Sequence, residues 1–252
     1  MKICFATEAN YLNYTNRVKK YNIERFLRLG LQDIPLYVST NLKQEFKEFD
    51  GHELIRVFDI NELRKNNEKS IKYEPLPENP QGLYPAYYPW NLRRFIIRKA
   101  AEDGFDAVFF LECDTKVSER FSNHEILEML QKLYEPNTVK TSSARFVYKN
   151  HHPGQELFHL HEEYIKELNL NFSEDQFDTL DGTNQLFFGE NPQSLLKFLD
   201  NWDFIANFGY ERQRGYKTGY LSNLSFIIPM SGYKLIHTET PFVTEHVFED
   251  RY

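Results

Sequence analysis

Cysteine is nearly absent from this 252-residue chain, which has only Cys4 and Cys113. Each lies in a short apolar run of strand character, so a disulfide framework is not expected. Glycine is sparse too, and no Gly-Lys-Ser/Thr phosphate loop occurs. The polar loop Lys217–Asn223 and the isolated spacing Gly215–Gly219 do not replace it. No apolar run approaches the ~20 residues of a membrane-spanning helix. The apolar stretch within Met1–Asn10 is too brief for a signal h-region, and a cytoplasmic protein is expected. Basic charge is in deficit, with a formal net charge of −7, which argues against broad nucleic-acid or membrane binding.

Aromatic residues are abundant. With 22 Phe and 16 Tyr, the chain can fill a large core and still line a cleft with rings. The length suits a single α/β domain, and no composition shift marks a boundary inside 1–252. The first half alternates short apolar runs with helical periodicity. Strands are expected at Lys2–Thr7, Ile34–Ser39 and Leu54–Phe58, with helices at Thr15–Leu29, closed by Gly30, and Leu42–Phe49. Such alternation implies a mainly parallel sheet with crossover helices. The Pro- and Tyr-rich stretch Asn66–Pro89 then interrupts the pattern as a long connection, either functional or a rigid surface loop. Asn91 is placed to cap a helix that ends at Gly104, with Leu92, Phe95, Ile96 and Ala100 on its buried face. The run Ala107–Leu111 is wholly apolar, as in a central strand buried on both faces. In the second half, helices are expected at Asn123–Leu133, Gln155–Leu168 and Pro192–Ile205. Strands are expected near Thr138–Thr141, Arg145–Tyr148, Gln185–Phe188, Phe226–Pro229 and Lys234–Thr238.

Ligands of open α/β sheets bind beyond the carboxyl ends of the strands. Glu112 and Asp114 follow the apolar strand directly, at i and i+2. Where a strand opens into a turn, two such carboxylates can approach one divalent cation. Mg²⁺ or Mn²⁺ takes one or two carboxylates plus substrate phosphates, and it neutralises a leaving diphosphate as charge develops.

The segment Trp90–Val117, WNLRRFIIRKAAEDGFDAVFFLECDTKV, resembles the central segment of GT-A-fold glycosyltransferases: a basic helix, a hydrophobic strand and an acid-x-acid motif. Asp181–Glu190, DGTNQLFFGE, is similar to the segment of that fold that contacts donor sugar or acceptor, and KICFATEAN is similar to its nucleotide-binding first strand. The resemblance implies an α/β, GT-A-like (Rossmann-like) mixed, mainly parallel central sheet flanked by helices. About 1–118 would form the donor half and about 119–252 the acceptor half. It also implies transfer of a sugar from a nucleotide-diphosphate sugar, UDP favoured, to an acceptor hydroxyl. Position 112 departs from the family pattern, being Glu rather than Asp; the last acid, Asp114, is the one expected on the metal.

On that resemblance the donor would meet Thr7, Glu8 and Asn10 after the first strand, Arg93 and Arg94 on the basic helix, Glu112 and Asp114, and Asn184 and Gln185 of the second motif. Arg94 and Arg98 share one helical side, away from Phe95 and Ile96; the alternative to diphosphate binding is a solvated basic face. A late histidine, His246, would join Glu112 and Asp114 on Mn²⁺ or Mg²⁺. Asp181 or Glu190 would serve as general base in an inverting enzyme, or hold sugar hydroxyls in a retaining one. His151, His152, His159 and His161 lack cysteine partners and regular spacing, which disfavours structural zinc and suggests an acceptor-side loop. The acceptor class stays open between carbohydrate and other hydroxyl-bearing molecules, a modified DNA base included. Two other functions fit less well. A nucleotidyltransferase would need a Gly-rich basic loop where ATEANYLNY stands, and a non-catalytic sugar-binding module would bind nucleotide without turnover.

Overall fold

The structure is a computed structural model that describes residues 1–9, 12–29, 34–65, 92–113, 115–118, 120–142, 162, 165–171, 184–211, 224 and 227–244. β1 (Ile3–Glu8) leads into a continuous helical run made of α1 (Leu12–Arg17), a π-helical turn (Val18–Ile23) and α2 (Glu24–Leu29). β2 (Leu36–Thr40), a 3₁₀ segment (Lys43–Phe49), β3 (Ile55–Asp59) and α3 (Ile60–Lys65) follow. Then come α4 (Arg93–Glu102), β4 (Ala107–Leu111), β5 (Lys116–Val117), α5 (Asn123–Leu133), β6 (Thr138–Ser142) and β7 (Asn184–Phe188). The described elements end with α6 (Pro192–Glu211), β8 (Lys234–Thr238) and β9 (Val243–Thr244).

Seven strands form one sheet in the order β3-β2-β1-β4-β7-β6-β8, and β5 pairs with β9 in a small second sheet. Six strands of the large sheet run one way. β7 alone is reversed, antiparallel to both β4 and β6. The alternating pattern implies a mainly parallel α/β sheet and the family resemblance a mixed one, and the sheet is both. β4, AVFFL, reads as a continuous apolar run because both of its faces are covered. On one face, Val108 and Phe110 of β4, Phe187 of β7 and Val139 of β6 pack with Ile96, Ile97 and Ala100 of α4 and with Leu195, Phe198, Leu199 and Trp202 of α6. On the other, Phe5, Phe109, Leu111, Leu186 and Phe188 pack with Val18, Ile23 and Phe26 of the first helical run and with Ile126 and Leu130 of α5.

Local signals set the ends of the elements. Ser122 and Glu125 form a reciprocal capping box at the start of α5. Gly104 closes α4 at φ 86°, with its own amide on the Ala101 carbonyl and the Phe105 amide on the Ala100 carbonyl. The same six-to-one and five-to-two bond pattern recurs at Gly232, whose φ is 71°. There it ends a helical turn at residues 227–230, which corrects the strand expected at Phe226–Pro229. A four-residue apolar run does not distinguish strand from helix; the Ser-Gly that follows, a C-cap signal, does. The short helix α3 was not anticipated either, although Asp59 receives the Asn61 amide at 2.7 Å as a local cap. The strand at Arg145–Tyr148, most of the helix at Gln155–Leu168, and Asn91 lie outside the described residues.

α4 and α6 are joined by buried ions. Asp203, 1% exposed, accepts Arg94 Nε at 2.6 Å and Arg98 Nη2 at 2.7 Å, and Arg98 also reaches Asp200 at 3.0 Å. Removing the acid would leave the buried Arg94 and the partly buried Arg98 undercompensated. Asp203→Ala is expected to destabilise the protein by about 3–5 kcal/mol, and Asp200→Ala, at the more exposed end, by about 1 kcal/mol or less. Chemical denaturation of both variants checks the order.

Candidate functional site

The carboxyl edge of the sheet collects the ends of β1, β2, β3, β4, β6 and β8. Because β7 is reversed, its first residues, Asn184 and Gln185, stand at that same edge: Gln185 pairs with Phe110 of β4 and Thr141 of β6. Of the residues expected to form the site, Glu8, Glu112, Asn184 and Gln185 are therefore brought to one side of the molecule. Glu190 is not. It lies beyond Phe188, which pairs with Ala107 at the amino end of β4, and its amide bonds Asn137 Oδ1 at 3.3 Å. A strand of five residues, on the order of 17 Å, separates that end from Glu112. A role for Glu190 as base at the Glu112 edge is thus corrected by the direction of β7.

Glu112 is held on two sides. Arg93 Nη2 donates to its Oε1 at 2.8 Å, and its backbone amide donates to Asn184 Oδ1 at 3.3 Å. Arg93 is fully buried, and its guanidinium lies 4.4 Å from the centre of the Phe110 ring. Strand alternation places Glu112 on the same face as Phe110 and Val108, beneath α4, so a residue from the first turn of α4 can reach it. The Glu112 carbonyl accepts the Thr115 amide at 3.0 Å, which closes a turn at the strand end. Asp114 lies outside the described residues, as do Asn10, Asp181, His246, the four-histidine segment, the Pro/Tyr stretch Asn66–Pro89 and Lys217–Asn223.

Arg94 behaves differently from Arg93. It is neither solvated nor directed to the Glu112 edge: its Nε is committed to Asp203, and its guanidinium stacks 4.2 Å from the Phe95 ring. Burial pulls its pKa below the ordinary arginine value, against the opposing pull of Asp203. Arg94 and Arg98 do share one side of the helix, but that side faces α6 rather than water.

Thr7 is fully buried at the β1–β4 junction, and its hydroxyl has no hydrogen-bond partner among the described residues. Next to it the chain leaves β1 under tight control. The Ala9 amide bonds the Ser39 carbonyl at 2.8 Å, and Thr40 Oγ1 bonds the Ala9 carbonyl at 2.7 Å while receiving the Leu42 amide at 3.0 Å.

Three features here went unread in the sequence. The π-helical turn presents Asn22, whose buried Nδ2 donates to the Thr115 carbonyl at 2.6 Å. Arg25 donates to the Val117 carbonyl at 3.1 Å. β5 pairs with β9, Lys116 opposite Thr244. Together these anchor the segment just after the acidic triplet. A π-turn often marks a functional site, but no spacing in VKKYNI announces one. Two-residue strands carry no pattern at all.

Among the described residues no group of three His, Cys, Asp or Glu side chains is arranged to hold a metal ion. No described helix is long and apolar enough to cross a membrane. Cys4 and Cys113 are both buried, and neither forms a disulfide.

The coupling of Arg93 to Glu112 is measurable. In a double-mutant cycle of Arg93→Met and Glu112→Gln, the two stability losses are expected to fall short of additivity by about 1–3 kcal/mol, because each single change strands the other partner. Additive losses would show that the ion pair contributes nothing.

No protein-family model matches the sequence, and no curated protein matches it. Among solved structures, the chain is similar to the apo form of mouse xyloside xylosyltransferase 1, at 10% sequence identity and a TM-score of 0.49, over 94% of this chain and 85% of that one.

Proposed function

We propose that this protein is a glycosyltransferase that moves a sugar from a nucleotide-diphosphate sugar, UDP favoured, to an acceptor hydroxyl. The observation that carries the reading is the position of the Glu112–Thr115 turn. It sits at the carboxyl end of a strand buried on both faces, where ligands of open α/β sheets bind. Glu8, Asn184 and Gln185 stand at the same edge.

The pairing of β5 with β9 adds support for a divalent cation. Lys116 is two residues after Asp114, and Thr244, its partner, is two residues before His246. Asp114 and His246 are each two residues from one backbone pair. Together with Glu112, they are the residues we assign to hold Mn²⁺ or Mg²⁺. Imidazole with carboxylate suits Mn²⁺ better than Mg²⁺. Such an ion supplies neutralising charge to a leaving diphosphate.

Arg93 fixes the Glu112 carboxylate, so it meets substrate with its orientation already set. Asn184 fixes the backbone at the same point. In the transfer, an acceptor oxygen bonds to the anomeric carbon, the bond from that carbon to the diphosphate breaks, and the acceptor proton passes to a base. Asp181 is the candidate we retain for that base.

Thermal denaturation with UDP, GDP and CMP, with and without Mn²⁺, tests the donor site. A ligand bound only by the folded state at a hundred times its dissociation constant adds about 2.7 kcal/mol. The expected result is stabilisation by one nucleotide, enhanced by Mn²⁺, with the enhancement lost in Asp114→Ala and reduced in His246→Ala. No stabilisation by any nucleotide in a folded sample would refute the donor site. Stabilisation without turnover of the sugar conjugate over a panel of acceptors would instead favour a binding module.

A further inference from the structure

We propose that the Gln185 amide and the Thr141 hydroxyl together recognise a hydroxyl group of the transferred sugar. This rests on the donor-site reading above and adds Thr141 to it.

Gln185 on β7 and Thr141 on β6 are register partners, so their side chains stand side by side on one face of the sheet. Alternation puts Gln185 on the face of Phe187 and Thr141 on that of Val139, both beneath α4 and α6. Both residues are fully buried. Yet Oε1 and Nε2 of Gln185 and Oγ1 of Thr141 have no hydrogen-bond partner among the described residues.

A glutamine amide brings two donors and two acceptor sites, and a threonine hydroxyl brings more. Buried polar atoms are nearly always paired, and leaving them unpaired costs free energy, so such a group calls for an explanation. Packing gives none. The next row inward on the same strands is Val108, Phe187 and Val139, wholly apolar, and an apolar pair at 185 and 141 would continue it. Polarity appears only in the row nearest the carboxyl edge, where Gln185 is flanked by Phe110, the ring on which Arg93 lies.

Chemistry narrows the partner. Gln185 and Thr141 are uncharged, which suits a neutral group better than a phosphate. An amide and a hydroxyl both donate and accept, as a sugar hydroxyl does. A site built this way discriminates strongly against a ligand that lacks the hydroxyl, because its own polar atoms then stay unpaired.

The test separates this inference from the donor-site reading. Gln185→Met and Thr141→Val remove the polar atoms at nearly constant volume. Each is measured for ligand-free thermal stability and for affinity toward UDP, UDP-glucose and UDP-galactose by calorimetry. The expected result has three parts: the ligand-free midpoint of Gln185→Met rises by about 2–4 °C, UDP affinity is unchanged, and the gain of at least one sugar conjugate over UDP shrinks by roughly tenfold. A lower ligand-free midpoint in both variants would overturn the proposal, since the polar atoms would then be satisfied inside the free protein, by ordered water for example. So would UDP binding with the sugar's gain either absent in the wild type or unaltered in both variants. If none of UDP, GDP and CMP binds the wild type, the donor-site reading fails, and this inference fails with it; if GDP or CMP binds in place of UDP, its sugar conjugates replace the UDP-sugars in the same comparison.

Discussion

Three arginines on a ten-residue helix have to leave water before α4 can pack on the sheet, and much of the structure answers that demand. Removing a guanidinium from solvent is costly unless it is paired and hydrogen-bonded. Arg94 and Arg98 share Asp203, and Arg93 takes Glu112 on one side and the Phe110 ring on the other. The three pairs fix α4 in two directions. Asp203 ties it to α6, and Glu112 ties it to the end of β4. α4 therefore cannot shift along the sheet without stranding at least one buried charge. The same ties that seat the helix hold a carboxylate at the strand end.

The second constraint is the polarity of β7. Were it parallel like its neighbours, Asn184 and Gln185 would start at the amino edge, and Glu190 would follow at the carboxyl edge. Reversal exchanges them. Asn184 then reaches the Glu112 amide, and Gln185 enters the row of Phe110 and Thr141. One change of strand direction thus decides which half of the segment Asp181–Glu190 meets the site.

Much of this was legible in the sequence, for local reasons. The wholly apolar run before Glu112 reads as a central strand, and Gly104 reads as a helix stop. The helix expected at Asn123–Leu133 forms over those residues. The environment of the arginines was not legible. Helical spacing groups Arg94 with Arg98, but it does not say that their side faces another helix, because Asp203 is more than a hundred positions away. Strand direction has the same character: NQLFF is equally good as a parallel or an antiparallel strand. The pairing of β5 with β9 joins residues separated by most of the second half, through strands too short to leave any period.

That short pair gives the site its remaining rigidity. An acidic turn at a strand end is ordinarily free to move, since only its first residue is held by the sheet. Here the far end is held as well. Asn22 bonds the Thr115 carbonyl, Arg25 the Val117 carbonyl, and β9 pairs across Lys116 and Val117, with Lys116 lying over the Tyr21 ring. The hydrogen bonds come from the π-turn and α2, on the opposite face of the sheet from α4. Glu112 is fixed from one face through Arg93, and the residues after Asp114 are fixed from the other through Asn22. Glu112 and the segment that begins at Thr115 are thus held from both faces and lose little further freedom when a ligand binds beside them, which lowers the ordering cost of binding.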